Sequence, residues 1–171
     1  RLYVRLADLY LESADEDGDG TVDAAEFAAA VTKAKDVYLQ AVEAHQSGAG
    51  WLGAGVAMLR LGEHVDAEDA FQEANICNKS HPVVWGYLAL ANLKQGELKF
   101  GQACACLEQA LNLELADPPL LCELGLEFGR VGRLDKAIML LRRSLSIAPA
   151  SASTRVALAR TYVKANMPTD S

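Results

Sequence analysis

Apolar positions along this chain fall into helix-length blocks separated by short polar turns, and three of the turns carry a glycine: "LGE" at Gly62, "QGE" at Gly96 and "VGR" at Gly132. The glycines lie 34 and 36 residues apart. Around them the flanking residues recur in register. Trp51, Gly55 and Met58 precede the first glycine, and Ala67, Phe71 and Ala74 follow it. Trp85, Leu88, Ala89 and Asn92 precede the second, with Ala103, Leu107 and Ala110 after it and two extra residues in the turn. The third unit gives Leu121, Leu124, Gly125 and Phe128, then Ala137, Leu141, Ser144 and Pro149, and a last half unit supplies Leu158, Ala159 and Tyr162. Each unit predicts two helices, A before its glycine and B after it. Small residues at Gly55, Ala89, Gly125 and Ala159 let helix A approach its partner, while Trp51, Phe71, Trp85 and Phe128 fill the space between layers.

Each such pair leaves an apolar face that only the next pair can cover, so the units are expected to stack. The spacing resembles the tetratricopeptide repeat, W-x2-L-G-x2-Y, then A-x3-F, then P. The expected fold is all-α, a right-handed α-solenoid with repeats at 49–82, 83–117 and 118–151 and a partial repeat or capping helix at 152–171. Residues 1–48 fit a repeat cut in two: Tyr3, Leu6, Ala7 and Tyr10 match helix A, and Ala34, Tyr38 and Ala41 match helix B.

The insertion between those halves is "DEDGDGTVDAAEF". Numbered from Asp15 it has Asp at positions 1, 3, 5 and 9, Gly at 6 and Glu at 12, the pattern of an EF-hand calcium loop. Asp15, Asp17 and Asp19 would offer monodentate carboxylates, Thr21 its carbonyl, Asp23 a ligand often reached through water, and Glu26 both oxygens. Gly20 permits the sharp bend. Residues 15–26 are therefore expected to bind Ca2+, with Mg2+ as a competitor, and the exiting helix is expected over about Ala24 to His45.

Composition changes little in this picture. Hydrophobic residues make up 51% of the 171, enough for a core, and no stretch approaches the ~18 uninterrupted apolar residues of a membrane span. The net charge of −7 is concentrated: six of 23 acidic residues lie at 15–26, and the other 17 nearly balance 16 Lys and Arg. A basic face for nucleic acid is not expected. Cys77, Cys104, Cys106 and Cys122 form no C-x-x-C pair and read as small core residues of a protein in a reducing compartment. The opening Arg1 suggests an excerpt of a longer chain. "GAGWLG" at 48–53 matches G-x-G-x-x-G but lacks the strand that a dinucleotide site needs. His45, His64 and His81 have no partner at ligand spacing, and no nucleophile has a base beside it, so an enzyme is not expected.

A ligand groove is projected from helix A positions Leu52, Val56, Leu59, Leu90, Leu93, Cys122 and Leu126, all of them apolar or nearly so. An apolar helix or a neighbouring repeat is the expected occupant. Beyond the generic repeat, "WLGAGVAMLRLGE", "AEDAFQEAN", "VWGYLALANLK" and "LELADPPLLCEL" resemble the C-terminal repeats of the family of cilia- and flagella-associated protein seventy. That resemblance implies a structural scaffold of the cytoskeleton in motile cilia or flagella, at the axonemal central apparatus, with other axonemal proteins as partners in a larger assembly. The rival reading is a calcium-responsive adaptor in the cytosol with no ciliary role.

Overall fold

The structure is a computed structural model and describes residues 24–45 and 47–166. Eight α-helices occupy them: α1 (Ala24–His45), α2 (Gly48–Arg60), α3 (His64–Cys77), α4 (Pro82–Lys94), α5 (Phe100–Asn112), α6 (Pro118–Arg130), α7 (Leu134–Ile147) and α8 (Ala152–Asn166). A single 3-10 turn, Glu97–Lys99, precedes α5. Local chemistry sets the helix starts. Pro82 and Pro118 stand in the first turns of α4 and α6, where a missing N–H costs nothing. The Asp117 carboxylate accepts from Leu120 N at 2.9 Å, and Ser47 Oγ accepts from Gly50 N at 3.1 Å.

The three turn glycines share one backbone state. Gly62, Gly96 and Gly132 have φ of 81°, 101° and 77°, left-handed values that side chains disfavour, so the chain can reverse between A and B. From A start to B start the offset is 16 residues in the first and third glycine-centred pairs but 18 in the second, as the bounds of α2 to α7 show. The two extra residues are absorbed by the 3-10 turn at Glu97–Lys99.

Packing follows the repeat. α2 lies mainly on α3, α4 on α5 and α6 on α7, while α1, α3 and α7 also pack on the A helix that follows each. Phe71, Leu107, Leu121, Leu124 and Phe128 are fully buried in one continuous core. A Cβ on Gly55 would sit 2.5 Å from the Phe71 ring, and one on Gly125 would sit 2.8 Å from Leu141, so the small residues do permit close A-to-B approach. Ala89 is buried at the equivalent place, but Ala159 is exposed, since among the described residues no B helix follows α8. The tryptophans are half-buried rather than central, and Trp85 Nε1 donates to Lys79 O at 2.8 Å.

Adjacent repeats are also tied by rings and charges. Phe71 stacks on Tyr87 with centroids 5.3 Å apart, Phe100 meets Phe128 edge-on at 6.1 Å, and the Arg133 guanidinium lies 5.0 Å over Phe100. Lys35 of α1 pairs with Glu63 at 2.8 Å. The exiting helix expected after the acidic loop runs the full 22 residues from Ala24 to His45. The helix A expected at Tyr3 to Tyr10 lies outside the described residues, as does most of the loop.

Candidate functional site

The chemistry-bearing positions divide between the acidic loop and the seam along the A helices. Of the loop, Asp15, Asp17, Asp19, Thr21 and Asp23 lie outside the described residues. Glu26 is the third residue of α1, in its first turn. Among the described residues, no group of three or more His, Cys, Asp or Glu is placed to hold a metal ion.

The projected groove residues do not share one surface. Val56 and Leu59 line a cleft of ~310 Å³ between α2 and α4, beside Arg60, Tyr87, Lys94 and Glu123. Leu126, 43% exposed, lines a second and larger cleft of ~560 Å³ between α6 and α8. Leu52 lies at a third, between the start of α2 and the end of α3. Leu90 and Leu93 are 0% and 4% exposed and fill the core, so they present no surface to a ligand in this structure. Cys122 is half-buried.

The seam carries a feature that apolar projection passes over. Arg60, Lys94, Arg130 and Lys164 each end an A helix in its last turn, at spacings of 34, 36 and 34 residues. A cation there is favoured by the helix dipole. Yet α3, α5 and α7 have the same dipole and no basic residue in the last turn. Dipole compensation alone therefore does not explain the row. Arg60 and Lys94 border the first cleft, Arg130 and Lys164 the second. Glu127, nearly buried, sits between two of them, accepting from Lys94 Nζ at 3.1 Å and from Arg130 Nη1 at 2.7 Å. Lys164 Nζ donates to Gly129 O at 2.8 Å. The recurrence of a basic residue one repeat apart was the signal available in the sequence.

A second buried carboxylate has a structural part. Glu68 of α3 is 7% exposed and accepts from Gln95 Nε2 at 2.7 Å and from Lys99 Nζ at 3.0 Å, binding the 3-10 turn to the preceding repeat. Burial pushes its carboxyl up, but the hydrogen bonds of Gln95 and Lys99, the Lys99 charge and Gln72 together hold it below the ordinary value. The nearby Cys106 thiol is pushed up by burial and by the Glu68 charge, which disfavours the thiolate.

The cysteines differ from the expectation of core residues: Cys77 is exposed, the other three are half-buried, and all four are free thiols. Their positions border helix contacts rather than fill them. His45 ends α1, His64 opens α3 and His81 precedes α4. Gly48 to Gly53 form the first turns of α2 with no strand before them among the described residues, so the glycine motif has no phosphate-cradling context. No helix among the described residues is long and apolar enough to cross a membrane.

Comparison with known proteins accords with this architecture. The family described as the cilia and flagella-associated protein 70 C-terminal domain matches residues 1–171. Cilia- and flagella-associated protein 70 of Homo sapiens and that of Macaca fascicularis are each 37% identical over 124 residues, 72% of this chain. The chain spans about a tenth of the length of these curated relatives, 10% in each case. Among solved structures, a thermophilic TPR protein of Thermus thermophilus superposes with a TM-score of 0.69 at 18% identity, over 94% of this chain and 83% of that one. That likeness identifies the fold as a tetratricopeptide solenoid.

Proposed function

The chain belongs to the family of the cilia and flagella-associated protein 70 C-terminal domain, and from that membership we propose that it is a non-enzymatic protein-interaction scaffold of the ciliary or flagellar axoneme. The observation that carries the reading is the seam of A helices with two open clefts, set in a tetratricopeptide solenoid. Repeat stacks of this kind offer extended surfaces on which other proteins bind. The names of the relatives support the cilium as its location, and the sequence resemblance favours the central apparatus and its subunits as partners. Binding of the chain to salt-extracted axonemes is the direct test. Saturable co-sedimentation is expected, and a chain left in the supernatant at every concentration would count against the scaffold.

Calcium binding at 15–26 is part of the proposal. What supports it is the pattern of carboxylates together with the start of α1 at Ala24, which puts Glu26 in the first helical turn after the loop. Asp15, Asp17, Asp19, Thr21, Asp23 and Glu26 would hold the ion, which would supply a fixed positive charge tying the loop to α1. Calorimetric titration of calcium with magnesium present is expected to show binding that Glu26→Gln weakens about tenfold or more, because one bidentate oxygen is lost. Equal affinity in the two chains would reduce the loop to an acidic turn.

A further inference from the structure

The larger cleft lies between α6 and α8, and its floor and rim differ in character. Leu126, Leu134 and Val156 give it an apolar floor, while Arg130, Arg160 and Lys164 stand around it and no Asp or Glu lines it. Its volume of ~560 Å³ falls in the range of side-chain and small-ligand pockets. Val156 is 50% exposed although it faces a cavity. No ion-pair or hydrogen-bond partner of the Arg160 side chain lies among the described residues, whereas Arg130 is already engaged by Glu127 and Lys164 by a carbonyl. The charge of the surrounding sequence has the same sign. Residues 118–171 hold eight Lys and Arg against four Asp and Glu, a net +4 in a chain of −7.

We propose that this cleft is the docking site for an acidic peptide segment of a partner protein, bound in extended form with one apolar side chain on the floor and carboxylates on Arg160 and Lys164. The inference deepens the scaffold reading and rests on it. Charge complementarity selects the ligand: a wholly apolar helix would leave Arg160 desolvated against it without a partner, and that is costly. The spacing of the A helices adds a constraint. Neighbouring helix axes lie ~10 Å apart, about three residues of extended chain, so acids recurring at about every third position fit successive cations. Such a segment would continue from Lys164 toward Arg130 and on to Lys94, competing with Glu127 for both.

The test uses the 171-residue chain and a fluorescent peptide of repeated Glu-Ser-Leu, with Gln-Ser-Leu as its control. Anisotropy is expected to show saturable binding of the Glu peptide, about tenfold or more tighter than the Gln peptide and weakened by salt. Arg160→Glu and Val156→Asp are each expected to lower affinity about fivefold or more. Arg142→Glu makes the same charge change on the exposed surface of α7, outside the cleft, and is expected to leave affinity within about twofold. Equal binding of both peptides, or equal losses at Arg142 and Arg160, would overturn the site. Circular dichroism of each variant separates lost binding from lost fold. Salt-sensitive self-association of the chain that Arg160→Glu abolishes would assign the cleft to a second copy and would also overturn the proposal. Failure here with axoneme binding intact would remove this site and leave the scaffold standing.

Discussion

At the scale of single residues, Glu68 shows how a buried charge is used to fix the relation between two repeats. Its carboxylate is nearly enclosed, yet Gln95, Lys99 and Gln72 reach it from two elements, so the ionised form is favoured in the folded chain. A carboxyl whose folded pKa is lowered contributes stability that is present above its unfolded pKa, about 4.3 for Glu, and lost as the pH falls through the folded value. Denaturant titrations at pH 7 are expected to show Glu68→Gln less stable by about 1–2 kcal/mol, with Lys99 left half-exposed and unneutralised. Repeated at progressively lower pH, the gap between the two chains should narrow. A gap that stays constant across the acid range would mean that the charge of Glu68 contributes nothing.

At the scale of elements, the turns and the helices differed in how readily they could be read. The turn glycines were legible because a left-handed residue leaves few alternatives, and the spacing of three of them set the repeat length. Gly132→Ala tests this with little interference, since a Cβ there would meet nothing within 4 Å and only the backbone conformation is penalised. A loss of about 1 kcal/mol in chemical unfolding is expected, and a stability equal to the parent would show that the positive φ is not required. The extra pair of residues in the second turn was likewise readable and became the 3-10 segment. The faces of α4 were not. Its buried residues, from Val84 and Gly86 through Leu88 to Leu93, run almost all the way round, because α3, α5 and α6 each cover a side. Hydrophobic periodicity carries no direction in such a helix, and for that reason Leu90 and Leu93 project onto a surface they do not reach. The cations at the ends of the A helices escape the same projection for the opposite reason. A projection of apolar positions is blind to Arg60, Lys94, Arg130 and Lys164, the residues that carry the information. The acidic loop was legible in composition alone, and its coordinating residues other than Glu26 lie outside the described residues.

At the scale of the whole molecule, charge is graded along the stack: residues 1–117 carry eight cations against nineteen acids, and residues 118–171 carry the reverse excess. The gradient sets the acidic loop and the cationic cleft in different parts of the sequence, so an ion at one and a peptide at the other would not compete for the same groups. The stack is also uneven in how firmly its units are held. The A helices α2, α4 and α6 are each gripped by helices before and after them, whereas α8 meets α7 and, sparsely, α6, and leaves Val156, Tyr162 and Val163 exposed. In a linear array stability is shared only between neighbours, so the least gripped unit opens first. Under tension applied through its C-terminal side the molecule is therefore a graded spring rather than a rigid strut. Its first give would be the 15 residues of α8, a lengthening of roughly 30 Å from helix to extended chain, at a load that the inner repeats withstand. A segment lying across α6 and α8 would raise that load by stapling the end unit to its neighbour, so that occupancy of the cleft would be read out as stiffness.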